Sequence, residues 1–197
     1  GILTCTFASY KPYKSEKCLD VKAMENFEPE KFFTGTWYVT HAKNGTKATV
    51  CHKYKTKKDQ NGKFSFDYEY YNDGNGNHYF QVHCKETNRT GNTQFSFYCE
   101  LIQGKESSKF QNYNVDITFI DTDYNNYAIF YRCVPTGSEG YEDNFLVLHR
   151  KRSKAKSSKP KQVLKKQKLN LDSFLDRKNS ACKAIPNFKI LNVNIFP

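Results

Sequence analysis

Between Trp37 and Arg150 the chain is cut into short runs in which apolar and polar residues alternate, and this period of two constrains the fold more than any other feature. Phe64, Phe66, Tyr68 and Tyr70 alternate with Ser65, Asp67 and Glu69, and Phe95 and Phe97 repeat the pattern. Successive side chains on a strand point to opposite faces, so such runs place aromatic rings on one side of a sheet and polar groups on the other. Turn chemistry separates the runs at Asn61-Gly62, Asp73-Gly74-Asn75-Gly76 and Gly91-Asn92. Eight strands are predicted, over residues 36–42, 49–55, 63–71, 78–85, 93–102, 110–120, 127–134 and 145–149. Antiparallel strands at this spacing close into an up-and-down barrel or stack as a sandwich.

The character changes after Ser153. Val163, Leu164, Leu171, Phe174 and Leu175 fall on one helical face with lysines elsewhere, which predicts one helix packed on the outside of the sheet. Residues 190–196 read as a last extended piece, an added edge strand. The 197 residues suit a single domain at 9–197, with the barrel at about 34–151, a basic segment and helix at about 152–178, and an extension at 183–197. No apolar run approaches the ~18 residues of a membrane-spanning helix. Sixteen Phe and 14 Tyr supply the core that a low mean hydropathy would otherwise put in question.

The net charge of +11 is local rather than general. Ten of the 31 Lys and Arg lie between Arg150 and Lys168, where there is no acid; the other 21 face 20 acids. Lys151, Arg152, Lys154 and Lys156 are therefore candidates for binding a polyanion such as a heparin-like glycan, an anionic phospholipid surface or an acidic protein. The alternative is a solvated linker and helix face. A nucleic-acid partner is not expected, because no aromatic residues interleave the run.

Residues 1–8, mostly apolar and small and ending in Thr6-Phe7-Ala8, read as the tail of a secretory signal peptide; an N-terminal strand is the alternative. Removing them takes Cys5 and leaves six cysteines, an even set that implies disulfides in a secreted protein, with fifteen connectivities open. Cys84 and Cys99 flank the turn at residues 88–92 about equally, so a hairpin would bring them opposite each other. Asn44 and Asn88 begin N-x-Thr sequons and are glycosylation candidates.

Three motifs choose among the all-β folds. They are Gly35-Thr36-Trp37, the stretch from Asp121 through Asp123 to Tyr131, and Phe145-Leu-Val-Leu-His-Arg150. In order and spacing they resemble the signature regions of the lipocalins. The resemblance implies an eight-stranded up-and-down barrel with a C-terminal α-helix, in which Gly35 opens the first strand, Trp37 crosses the closed end, Arg150 stacks on it, and Asp123 caps the nearby loop. The segment from Phe27 to Tyr38, Ala48-Thr-Val-Cys51 and the cysteine positions are similar to the triabin and pallidipin group, salivary lipocalins of blood-feeding triatomine bugs. That resemblance implies the pairs Cys18–Cys133, Cys51–Cys182 and Cys84–Cys99, with the last agreeing with the hairpin. It also implies secretion into saliva and interference with host platelets or coagulation.

Catalytic chemistry finds no foothold: no Gly-x-Ser-x-Gly, P-loop or His-Glu-x-x-His occurs. Cys51 and His52 are neighbours, but adjacent strand residues face apart, and an oxidised Cys51 has no thiolate. Asp73-Gly-Asn-Gly-Asn77 lacks the terminal Glu of a calcium loop, so a turn is expected. In the related nitrophorins a haem-ligating His stands in a Tyr-His-Tyr-like setting; here the stretch is Tyr68-Glu69-Tyr70, which argues against haem, and no cofactor or metal is expected. Two binding modes remain. A barrel mouth lined by Tyr54, Phe66, Tyr68, Tyr70, Phe80, Phe97, Phe119 and Phe130 would hold a small mediator (an eicosanoid, amine or nucleotide), each ring having plain core packing as its alternative. Otherwise the surface covers a host coagulation or platelet protein. The runner-up function is a monomeric carrier of small hydrophobic ligands or amines with no haemostatic role.

Overall fold

A computed structural model describes residues 14–104, 112–152 and 158–185. The signal-like residues 1–8 with Cys5, the start of the strand predicted at 110, Lys154, Lys156 and the piece at 190–196 lie outside them.

Eight antiparallel strands run up and down in chain order: β1 (Gly35–Ala42), β2 (Lys53–Lys58), β3 (Phe64–Tyr71), β4 (Tyr79–Thr90), β5 (Gln94–Gln103), β6 (Asn112–Thr122), β7 (Tyr127–Pro135) and β8 (Tyr141–His149). The barrel closes because β1 pairs on both edges. Its first half lies against β2, from Gly35 opposite Thr56 to Tyr38 opposite Lys53. Its second half lies against β8, from Tyr38 opposite His149 to Ala42 opposite Leu146, with a bulge between Val39 and His41. Where β2 has left β1, the two-residue strand β9 (Leu175–Asp176) takes its place.

Short helices precede β1 and β2: α1 (Pro29–Phe32) and α2 (Lys47–Val50). The predicted strand at 49–55 is thus corrected at its start. Thr46 and Thr49 cap one another's backbone in a capping box, which winds residues 47–50 into a turn before the chain extends. The single helix expected after residue 152 is present but shorter than its apolar spacing suggests. Only α3 (Lys159–Lys166) is helical; Lys168 then takes a positive φ of 60°, and the side chain of Asn170 accepts from the amide of Asp172 to start a 3-10 turn at Leu171–Ser173. Leu171 and Phe174 still reach the same wall as Leu164, but by a folded-back path, and Leu175 is exposed on β9.

Two apolar layers share the barrel wall. Inside lie Trp37, Phe66, Phe97, Phe119, Phe130 and Leu146; outside, Ile129, Tyr131, Phe145 and Val147 pack against Leu164 and Phe174. Burial of β7 and β8 on both faces explains why 127–131 and 145–148 read as nearly continuous apolar runs rather than alternating ones. Cys18 is bonded to Cys133, tying the N-terminal segment to the outer face of β7, and the Tyr131 hydroxyl accepts from the amide of Leu19 at 2.8 Å. Cys84 and Cys99 are bonded as direct cross-strand partners on β4 and β5.

One end is shut. The Trp37 indole donates to the carbonyl of Phe32 at 3.0 Å, and the Arg150 guanidinium lies 3.6 Å from its ring centre. That guanidinium also donates to the carbonyls of Tyr124, Thr34, Thr36 and Lys31, stitching three chain segments together. Gly35 holds φ at +76° beneath it, a conformation that disfavours a side chain. The Asp123 carboxylate accepts from the amides of Asn126 and Tyr127, and although burial opposes its charge, these bonds hold its pKa below the usual carboxylate value.

Candidate ligand-binding site

The other end opens into a cavity of about 430 Å³. Alternation along the strands decides what reaches it. On β3, Tyr68 and Tyr70 point in; on β4, Phe80 and Val82; on β7, Arg132 and Val134; on β8, Glu142 and Asn144. The rim comes from Asn44 and its following loop, α2, and Asn72 with Asp73 at the β3–β4 turn.

Of the eight rings expected at the barrel mouth, Tyr68, Tyr70 and Phe80 line this cavity. The other five are corrected. Tyr54, Phe66, Phe97, Phe119 and Phe130 are buried beneath the cavity and fill the barrel between it and Trp37, with Phe66 and Phe97 packed edge-to-face at 4.9 Å and Phe119 and Phe130 at 5.9 Å. These rings from facing strands pack against one another in the lower half rather than lining the cavity.

The floor is polar. Tyr68 and Tyr113 share a hydrogen bond between their hydroxyls, and Tyr54 stacks on Tyr68 at 5.6 Å. Burial pushes the Tyr54 hydroxyl up to about 12 and the Tyr68 hydroxyl well above its ordinary value. Arg132 stands among them, deeply set yet partly reachable from the mouth. Burial works against its charge, but Tyr113, Tyr54, Tyr68 and Glu142 outweigh it, so its pKa is raised and it is a fixed cation. His52 lies against Tyr68 and Tyr70, with ring centres 5.0 and 4.7 Å apart. Burial, with the Arg132 and Arg177 charges, pulls its pKa down to about 3, so it is neutral at physiological pH. Its Nδ1 has no hydrogen-bond partner.

The C-terminal segment holds the rim from outside. Cys182 is bonded to Cys51, the neighbour of His52. Arg177 donates to the carbonyls of Val39 and Val50 at 3.2 and 2.9 Å, and the amide of Lys183 donates to the carbonyl of Gly74 at 2.8 Å. A β-carbon at Gly74 would sit 2.7 Å from the Cys51 sulfur, so only glycine fits there.

Other predicted positions are placed as follows. Glu69 faces away from the barrel interior, with Lys53 at 3.7 Å and Lys55 beside it, so the carboxylate set against a haem-ligating His does not face the cavity. Arg152 donates to the carbonyl of Ile185 and lies over Tyr38, whereas Lys151 is exposed. Asn44 is half-buried, with its side chain donating to the carbonyl of Asp143, while Asn88 is exposed on β4. Sequence reasoning missed His52, Arg132 and Tyr113. The signal for Arg132 was available: it continues the inward set Ala128, Phe130 and Val134 as a charge where an apolar residue belongs. Among the described residues no group of His, Cys, Asp or Glu is arranged to hold a metal ion.

The chain matches the family model described as Triabin over residues 9–163. It is 37% identical to Triafestin-1 of Triatoma infestans over 195 residues, covering 96% of this chain and 93% of that one. Among solved structures it is similar to the tryptamine complex of the amine-binding protein of Rhodnius prolixus, with a TM-score of 0.70, 26% identity, and 85% and 90% of the two chains covered. It is also similar to the LTBP1 complex with LTC4, with a TM-score of 0.55, 28% identity, and 75% and 84% covered.

Proposed function

Because the chain belongs to the triabin family, the triatomine salivary lipocalins, we propose that it is a secreted binding protein that takes a small molecule into the open end of its barrel and impairs host haemostasis by removing that mediator. The observation that carries this reading is the open-mouthed cavity of about 430 Å³, with aromatic walls and a polar floor, above the buried rings of the lower barrel. Cavities of this size and lining suit one small ligand. Two structurally similar proteins were solved with small molecules, tryptamine and LTC4, which supports the same use of the fold here.

Binding, not catalysis, is what the site can do. It offers a fixed cation, phenols and a neutral imidazole, but no nucleophile paired with a base. Covering of a host protein by the basic surface is a second reading, favoured by the exposure of Lys151 and Arg152, although Arg152 also donates to the carbonyl of Ile185 and lies over Tyr38.

The test is solvent extraction and mass spectrometry of the secreted protein, followed by calorimetry of the stripped protein against eicosanoids, biogenic amines, ADP and heparin. One small molecule should bind at one site per chain, and Val134→Trp, which narrows the cavity, should weaken it while leaving the barrel folded. Binding that is unchanged in the narrowed cavity, or binding of heparin alone, would refute this function. Inhibition of platelet aggregation that persists when ligand binding is lost would separate the haemostatic effect from the cavity.

A further inference from the structure

We propose that the secreted protein carries an N-linked glycan on Asn88, at the closed end of the barrel, and none on Asn44, at the mouth. This rests on the reading of the chain as secreted and goes beyond it by choosing between two sequons that the sequence leaves equivalent.

The fold treats the two differently. Asn88 lies near the end of β4, where a bulge between Glu86 and Asn88 shifts the register against β5. Arg89, the middle residue of the sequon, is drawn towards the barrel. Its guanidinium donates to the Glu86 carboxylate at 2.6 Å and to the Gly62 carbonyl at 3.2 Å, and lies 5.1 Å from the ring centre of Phe64. Neighbours on a strand face opposite ways, so with Arg89 turned in, Asn88 and Thr90 face out together, and both are exposed. The Asn88 side-chain amide makes no hydrogen bond to the described residues, so a sugar there displaces only water. The space beyond it is open: a β-carbon on Gly91 would meet nothing within 4 Å.

Asn44 is committed instead. Its side-chain amide donates to the carbonyl of Asp143 at 3.2 Å, and its backbone amide donates to the side-chain oxygen of Asn144 at 2.9 Å. Its own carbonyl accepts from the Asn144 side chain at 2.7 Å, and Asp143 and Asn144 are both buried. The rest of this sequon is equally engaged. The Thr46 hydroxyl accepts from the Thr49 amide in the capping box of α2, and a β-carbon on Gly45 would run into the Thr49 side chain. A sugar on Asn44 would be wedged between the loop and β8, against a buried carbonyl that then loses its donor. Sugars are added before folding is complete, so a chain modified at Asn44 meets this conflict as its rim forms and is held back from secretion.

In the transfer, the Asn88 Nδ2 loses a proton to a base of the transferase and bonds to the anomeric carbon of an oligosaccharide. The bond from that carbon to a polyprenyl diphosphate breaks, and the diphosphate leaves with the electron pair. β4 starts beside the rim turn and ends beside Phe64 and Phe95 of the lower barrel, so the glycan stands at the far end from the cavity and leaves its mouth clear.

The test expresses the full chain in insect cells behind a secretory signal and analyses medium and lysate separately. A peptide N-glycosidase in heavy-oxygen water labels each Asn that carried a glycan, and tryptic mass spectrometry locates the label. The secreted chain should be labelled at Asn88 and unlabelled at Asn44. On a denaturing gel N88Q should run level with the deglycosylated protein, whereas T46A, which removes the other sequon, should keep the mobility of the unaltered chain. The label on the unaltered chain decides even where a variant does not fold. Label at Asn44 in the secreted chain, or a secreted chain with no label at Asn88, overturns the proposal and leaves secretion standing. A chain found only in the lysate counts against secretion, and the label it carries there decides the glycan by the same rule.

Discussion

Removing the Arg150 side chain should destabilise the barrel more than any other surface-reaching substitution, and the structure sets the size of the effect. The guanidinium covers the indole of Trp37 at 3.6 Å and donates to four carbonyls, those of Tyr124 at 3.0 Å and Thr36 at 3.2 Å among them. A partly desolvated cation–π contact is worth about 1–2 kcal/mol. Charge-assisted bonds to carbonyls add about 1.5 kcal/mol each where water is excluded, but Arg150 is half-exposed and its carbonyls regain water when it is gone. The net loss for Arg150→Ala should be roughly 3 kcal/mol, which for a domain of this size lowers the melting temperature by roughly 6–12 °C. Burial pulls the Arg150 pKa down to about 10, so it is charged throughout the neutral range and the effect should not vary between pH 6 and 8. Trp37 is the single Trp of the chain, so its fluorescence reports the site directly. Urea unfolding followed at that Trp should show the loss, and its native emission should shift to the red as water reaches the ring. Arg150→Lys keeps the charge but loses the stacked plane and the fork, and should recover less than half. A loss under about 1 kcal/mol, or full recovery by Lys, would show that neither stacking nor the forked bonds hold the closed end.

Three further outcomes follow from the same structure. His52 has a folded pKa of about 3 against an ordinary 6.5, so the unfolded chain binds the extra proton first; stability is complete above pH 6.5 and falls as pH drops below it, by at most about 1.4 kcal/mol per unit, and His52→Gln should flatten that slope in denaturant titrations between pH 4 and 6.5. The double variant Cys51→Ser with Cys182→Ser opens a loop spanning 131 residues, which should cost about 3–5 kcal/mol and make the segment around Arg177 to Lys183 the first site of limited proteolysis while the near-UV spectrum of the barrel persists. Leu164→Ala, at a fully buried position between α3 and the barrel wall, should cost about 2–4 kcal/mol in the same unfolding assay, whereas Lys165→Ala beside it should be nearly silent.

The amino-acid pattern by itself determined the antiparallel strands, and the resemblance to the lipocalins, not the pattern, chose a barrel over a sandwich. Period-two aromatics and turn residues specify antiparallel strands locally, and the predicted bounds agree within a few residues except where Thr46 caps α2, where β4 runs on to Thr90 and where β8 already begins at Tyr141. The closed end was legible only through the resemblance of Gly35, Trp37 and Arg150 to the lipocalin signature, because Arg150 meets Trp37 from a distant part of the chain. The identity of the site was not legible in the same way. Tyr68 and Phe66 alternate identically in sequence, yet one lines a cavity and the other fills a plug; the difference is their height in the barrel and which rings arrive from Phe97, Phe119 and Phe130 across it. Arg132 reads as one more base in a basic chain until the register of β7 turns it inward among three tyrosines. Leu171 and Phe174 continue a helical spacing, but Asn170 and Asp172 end the helix and the tertiary wall collects those side chains by another route. Local pattern fixes which face a side chain takes, whereas depth, neighbours and desolvation depend on strands brought together from distant parts of the chain, and these are what make a ligand site out of a barrel.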